Sequence, residues 1–279
     1  MFTRKTGGPA PWLPTVALLL AVFWGLPSPV SSGDLETIRE SGVLRHLGTP
    51  YANFVREAGK SPDGPGGADR AEGLDVELMQ LFAMHIGVRY QLVRTTWSDA
   101  FADLTGRRCL PGSKPGPVRA DGRIRGDIIA SGLTILPCRK AVVDFSVPTF
   151  PTGVWLAARA DSSLKPITPS GRISRDVAAT RAVLRNRSVL TMRGTSLDPA
   201  LYDLEKTGAE IRLFPEHDHL DGLAPAIVRG AAETALLDIP SALVALQKWP
   251  GDIKIIGPIT GRQDRKSTRL NSSHRIRSR

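Results

Sequence analysis

Between Gly33 and Gln263 the apolar positions alternate between short runs of strand length and longer stretches of helical period. Val43 to Gly48 predicts a strand. Asp75 to Ile86 predicts a helix, with Leu74, Leu78, Leu81, Phe82 and Ile86 on its inward face and Gly87 just past its end. Arg89 to Val93 predicts a second strand, Ser98 is placed to cap a helix carrying Phe101 and Leu104, and Asp127 to Ser131 predicts a third, buried strand. After a strand at Val154 to Ala158, a polar region rich in Pro, Ser and Gly runs from Asp161 to Gly171. A second alternating unit follows, with strands at Ser188 to Thr191, Ile211 to Phe214 and Thr234 to Leu237. Its helices are Pro199 to Lys206 capped by Asp198, Leu223 to Arg229 ending at Gly230, and Ser241 to Lys248. Lys254 to Ile259 predicts a last strand. The alternation predicts an α/β fold in two lobes, and the Pro/Gly-rich stretches Ser61 to Gly67 and Leu110 to Gly126 predict surface loops.

The two ends do not share this pattern. Arg4 and Lys5, the apolar run from Val16 to Leu26 and the small residues Val30, Ser31 and Ser32 predict a cleaved secretory signal over 1–32, too short to span a bilayer as a mature anchor. At the other end, Asp264 to His274 matches residue for residue, in one frame, the translation of a sequencing-library adapter. Residues 264–279 are therefore set aside as reagent-derived, expected to pack on nothing, and the native end is expected to lie beyond Gln263 and to be missing here. The expected boundaries are a first lobe over 33–153, a second over 154–253 and a return crossover over 254–263.

This division changes the meaning of the charge. The whole chain is +10, but the tail carries six basic residues against one acidic residue, and the leader adds Arg4 and Lys5. What remains for 33–263 is +3. A nearly balanced segment without a basic stripe gives no argument for nucleic acid.

Two α/β lobes joined by crossovers enclose a cleft, where small ligands bind. Six motifs occur in order: Leu44 to Tyr51, Glu72 to Leu78, Gly126 to Arg139, Asp144 to Ser146, Gly194 to Ser196 and Ala235 to Asp238. In order and spacing they resemble the bacterial extracellular solute-binding proteins of family 3, the polar amino-acid binders of ABC importers. The resemblance covers nearly all of 33–263. It implies a two-lobed periplasmic-binding-protein-like fold, here C-terminally truncated. It further implies a periplasmic, non-enzymatic monomer without cofactor that closes by a hinge and hands a polar amino acid to an inner-membrane permease.

The resemblance also implies a site. Arg139, five residues after Thr134, matches the arginine that grips the ligand carboxylate, a task suited to a guanidinium fork. Thr134 and the backbone around Ser131 and Gly132 match further carboxylate donors, although by themselves they read as a turn ending a strand. Thr195 and Ser196 match donors from the second lobe, or else form only the turn before the Asp198 helix. Asp238 matches the acceptor for the ligand ammonium, or caps the helix that follows. Tyr51 matches an aromatic wall over the ligand side chain, or is an ordinary half-buried tyrosine.

Other signals fall away. Pro215 to Asp221 has metal-ligand residue types, but between a strand and a helix it is explained by capping and solvation. Neither a nucleophile elbow nor a phosphate loop is present. Cys109 and Cys138 flank the Asp127 strand at opposite ends, roughly 17 Å apart, which argues against a disulfide unless the intervening loop folds back. Cys138 also departs from the family's usual residue beside Arg139. Three classes of function stay open: an importer's binding protein; the ligand module of a receptor kinase or lytic transglycosylase whose downstream domain is lost; and an enzyme on this fold, such as a dehydratase.

Overall fold

The computed structural model describes residues 35–58, 70–108, 116–117, 123–215, 218–261 and 263–268. The first lobe is built on a parallel sheet of β1 (Val43–Gly48), β2 (Arg89–Arg94) and β3 (Ile128–Ile129), with β1 in the middle. Period-two alternation divides its side chains between two layers. Leu44 and Ile128 pack with Ile38 of α1 (Leu35–Ser41) and with Met79, Ala83 and Ile86 of α2 (Leu74–Ile86). Leu47 and Ile129 face the opposite way, toward Phe101 and Leu104 of α3 (Ala100–Thr105).

The chain leaves this lobe past the short helix α4 (Pro137–Lys140) and along β4 (Phe145–Thr152), and enters a second sheet through β5 (Val154–Arg159). That sheet adds β6 (Ser188–Thr191), β7 (Glu210–Leu213), β8 (Thr234–Asp238) and β9 (Ile253–Pro258) in the order β7-β6-β8-β5-β9. β6 runs parallel to β7 and β8, whereas β5 is antiparallel to β8 and β9. Every residue of the central β8 is buried. Helices α5 (Ile173–Ala182), α6 (Leu223–Val228) and α7 (Ile239–Lys248) complete the lobe.

Two crossovers lie side by side. Val154 accepts the Ile259 N–H at 2.8 Å and its own N–H donates to Thr260 Oγ1 at 2.9 Å. Gly153 sits between β4 and β5 where a Cβ would come 3.2 Å from the Gly261 carbonyl oxygen, so the absence of a side chain lets the strands cross closely. After the return, β10 (Gln263–Thr268) pairs antiparallel with β4.

That pairing corrects one expectation. Residues 264–268 do not pack on nothing: they lie against β4, because a ladder is made of backbone groups that almost any sequence supplies. Residues 269–279 lie outside the described residues, as do the predicted leader and Cys109. Three further corrections concern local structure. α2 buries Val76, Met79, Ala83 and Ile86 and leaves Leu74, Leu81 and Met84 exposed, a face rotated from the predicted one. Its apolar residues run nearly round the helix, so periodicity alone does not choose the buried side. Ser98 does not cap α3: its hydroxyl meets Thr96 Oγ1, and the Asp99 N–H goes to Thr96. The predicted helix over Pro199 to Lys206 is two short 3-10 turns broken at Asp203, whose φ is 47°, although Asp198 does cap the first through the Ala200 N–H. α1, α5 and β4 went unpredicted. Two prolines inside β4 hide it from a strand pattern.

Among the described residues no helix is long and apolar enough to cross a membrane.

Candidate functional site

The parallel strands of both sheets end at the cleft, and the residues just past those ends meet there. Tyr51, Trp97 and Gly132 each stand three residues beyond the last residue of β1, β2 and β3. Thr195 follows β6, and Asp238 is the last residue of β8. The carboxyl edge of an α/β sheet exposes backbone ends and loops in one place, so side chains distant in sequence converge.

Tyr51, Trp97, Gly132, Thr134 and Arg139 from the first lobe, with Thr195, Ser196, Leu220 and Asp238 from the second, line one cavity. It holds about 180 Å³ between the lining atoms, its mouth included. Seven of the eight residues singled out from the sequence therefore come together. The eighth, Ser131, does not line the cavity: its hydroxyl accepts the Thr49 N–H at 2.9 Å and donates to the Ala130 carbonyl at 2.8 Å, tying the ends of β1 and β3. Gly132 lines it with backbone, but its N–H donates to Asp75 Oδ2.

Arg139 is 2% exposed despite its charge. Its Nη1 donates to the Thr134 carbonyl at 2.9 Å, its Nη2 reaches across the cleft to the Gly194 carbonyl at 3.3 Å, and its guanidinium lies 5.4 Å over the Phe101 ring. These contacts hold a planar five-donor group against one wall of the cavity. Asp238 is 1% exposed; its Oδ1 accepts the Ser241 N–H at 3.1 Å, so it both caps α7 and lines the cavity. The two readings left open for it from sequence are compatible, since a carboxylate has lone pairs for both. Thr195 is committed locally, donating to the Met192 carbonyl at 2.8 Å and accepting the Leu197 N–H.

The apolar wall is aromatic. Tyr51 stacks on Phe54 with centroids 5.6 Å apart and meets Trp97 edge-on at 5.7 Å. Sequence reasoning missed Trp97 and Leu220. The count of three residues past the strand end, which holds for Tyr51, Trp97 and Gly132, needs the strand ends of the structure, Gly48, Arg94 and Ile129; from the predicted ends Val93 and Ser131 it points to Thr96 and Thr134 instead. The Trp97 indole N–H is buried and has no hydrogen-bond partner in the described structure.

No protein-family model matches the chain. A curated membrane-bound lytic murein transglycosylase F from Desulfosudis oleivorans is 25% identical over 250 residues, 89% of this chain, and the chain spans 46% of that protein's length. Holo ArgBP from T. maritima superimposes with a TM-score of 0.61 at 23% identity, covering 85% of this chain and 86% of that one. The amino acid ABC transporter substrate-binding protein AbpA from Streptococcus pneumoniae, bound to L-arginine, gives a TM-score of 0.62 at 19% identity over 85% of each chain. AncCDT-1, an ancestral amino acid-binding protein described as a precursor of cyclohexadienyl dehydratase, gives 0.60 at 21% identity, again over 85% of each. The fold is thus the two-lobed one of periplasmic binding proteins, with the cavity in the cleft between lobes.

Proposed function

We propose that the chain is a ligand-binding module of the family 3 solute-binding type that closes its lobes on a small zwitterion, a polar amino acid. The observation that carries this reading is the convergence of Arg139 from the first lobe and Asp238 from the second on one small cavity. A guanidinium from the first lobe is suited to a carboxylate, and a carboxylate from the second lobe to an ammonium. A free amino acid presents both groups on one carbon, so only a closed cleft would engage both at once. The arginine named with two of the structural relatives belongs to those proteins; here the side-chain wall is aromatic, and Tyr51 and Trp97 would stack on the ligand's side chain.

In this reading the leader over 1–32 delivers the mature chain to the periplasm, 33–153 and 154–253 are the two lobes, and 254–263 is the return crossover. As an importer component it would work as a monomer, without cofactor, handing its ligand to an inner-membrane ABC permease. The relative from Desulfosudis oleivorans, about twice this chain's length, supports a second reading in which the same module precedes a catalytic domain that cleaves cell-wall glycan. Both readings share the cleft. Calorimetry of the purified chain against the common amino acids tests it: one polar amino acid binding with heat and raising the unfolding temperature is expected, and silence across the panel overturns it. The gene read past the codon for Gln263 separates importer from transglycosylase, a short strand-and-helix end marking the first and a downstream catalytic domain the second.

A further inference from the structure

One contact between the lobes lies outside the cavity lining. Asp221, at the turn Leu220–Gly222 before α6, places both carboxylate oxygens on the Ala52 N–H, at 2.9 and 3.1 Å. Ala52 belongs to the first lobe and has a φ of 44°, a left-handed conformation that a residue with a Cβ adopts at a cost. It sits in the tight turn in which the Tyr51 N–H donates to the Val55 carbonyl and the Phe54 N–H to the Tyr51 carbonyl. The same turn puts Tyr51 on the cavity, while Leu220, next to Asp221, closes the cavity from the other side. A metal-like run of sequence, explained at first by capping and solvation, thus ends in a side chain that reaches across the cleft.

We propose that Asp221 is the closing latch of the cleft: a positioning residue that captures the Ala52 N–H and holds the Tyr51 turn over the cavity.

The geometry requires closure, because donor and acceptor stand on different lobes and would part when the hinge beside Gly153 opens. The pH sense follows from burial. Removing Asp221 from water raises its carboxyl above the ordinary range, and the Ala52 N–H only partly offsets this. Among the described residues the charged groups facing it are Asp238 at the end of β8, which raises it further, and Lys248 of α7 and His219 of its own loop, which lower it; the first lobe meets it with the Ala52 amide. An open cleft would take the first lobe's share of this burial away, together with the Ala52 amide, while Leu237, Ser241 and Lys248 of its own lobe would stay beside the carboxyl. Desolvation is the largest influence on this carboxyl, so to the extent that the first lobe supplies it closure takes up protons and acid favours the closed form, an advantage lost as the pH rises through the raised value. The neutral acid keeps a carbonyl oxygen to accept the amide, so protonation relieves the buried charge without dissolving the bond.

The latch rests on the closing-cleft reading but not on any ligand, so it is tested without one. In the full chain, amide exchange at Ala52 and the radius of gyration by small-angle scattering are measured at about pH 7 and about pH 5, with the β1 and β8 amides reporting that both sheets are intact. For the wild type, Ala52 protection should rise and the radius fall at the lower pH. Asp221→Ala should lower Ala52 protection about tenfold and expand the particle at both pH values while the sheet amides hold. Asp221→Asn, an uncharged acceptor of the same shape, should keep the protection and lose the pH dependence. Wild-type protection in Asp221→Ala, or an Asp221→Asn variant that behaves like Asp221→Ala, would overturn the proposal. Failure to bind any amino acid would sink the ligand reading and leave this result standing.

Discussion

Asp75 and Gly132, 57 residues apart, are joined by a hydrogen bond in which the Gly132 N–H donates to Asp75 Oδ2 at 2.5 Å. Asp75 is 1% exposed and stands in the first turn of α2, and Gly132 is in the left-handed region at φ 58°. The first turn of α2 also donates to the other cleft loop, through the Leu74 N–H to the Asn53 carbonyl and the Asp75 N–H to the Phe54 carbonyl. Gly73 makes that approach possible, since a Cβ there would fall 2.7 Å from the Phe54 carbonyl oxygen. One helix end therefore fixes two walls of the cavity.

Removing the acceptor leaves a buried amide unpaired, so Asp75→Ala should cost about 1 to 3 kcal/mol of stability. Gly132→Ala should cost about 1 to 2 kcal/mol through the left-handed backbone. Urea unfolding measures both. Unchanged midpoints would show that the Gly132 turn is held by other contacts.

For the two poles of the cavity, Arg139→Ala should weaken amino-acid binding by about 2 to 5 kcal/mol, the range for truncating one partner of a buried charge pair. Asp238→Asn separates the roles of that residue. An asparagine still caps α7 by accepting the Ser241 N–H, so the fold should survive while affinity falls. Isothermal titration calorimetry beside thermal unfolding distinguishes the outcomes, and wild-type affinity in Asp238→Asn would leave it only the cap.

Acid stability should follow His46. This ring is fully buried in β1, with Nε2 2.6 Å from the Ala130 carbonyl and Nδ1 2.8 Å from the Tyr90 hydroxyl. A carbonyl only accepts, so Nε2 carries the proton and Nδ1 accepts from Tyr90. Burial lowers the pKa of His46 to about 4. A depressed folded-state pKa means that stability is fully present above the ordinary histidine value and is lost as the pH falls from about 6.5 toward about 4, by up to about 3 kcal/mol. Urea midpoints across that window check it. A histidine signal from position 46 that titrates near its ordinary value by NMR would defeat it.

Trp97 carries the fourth prediction. A buried indole N–H without a partner is rare in a native interior and marks a place for a ligand or water oxygen. Trp97→Phe should leave stability within about 1 kcal/mol yet weaken amino-acid binding about tenfold. Equal affinities would assign the indole to packing alone.

Much of this was legible in the chain. Strand and helix positions followed from period and caps, as with Val43–Gly48 and the Gly87 end of α2, because local sterics and turn chemistry act over a few residues. Tyr51, Gly132, Thr134, Arg139, Thr195, Ser196 and Asp238 were all singled out through the family resemblance; Arg139 stands within α4, and the others stand at or past the end of a strand. Where the local code was ambiguous, the sequence was read wrongly. α2 is apolar on more than one side, β4 contains two prolines, and the adapter-like stretch supplies backbone to a ladder whatever its side chains.

What only the tertiary structure decided is which groups meet. Ser131 and Gly132 are neighbours, yet the hydroxyl of one ties β1 to β3 while the other lines the cavity with its N–H already given to Asp75. Asp221 reads as a loop carboxylate until the lobes bring Ala52, 169 residues away, within 3.1 Å of both its oxygens. Periodicity and capping are set by interactions between near neighbours and can be read along the chain. The partner of a buried polar group is set by how separate strands and helices pack, and that is fixed only when the whole chain has folded.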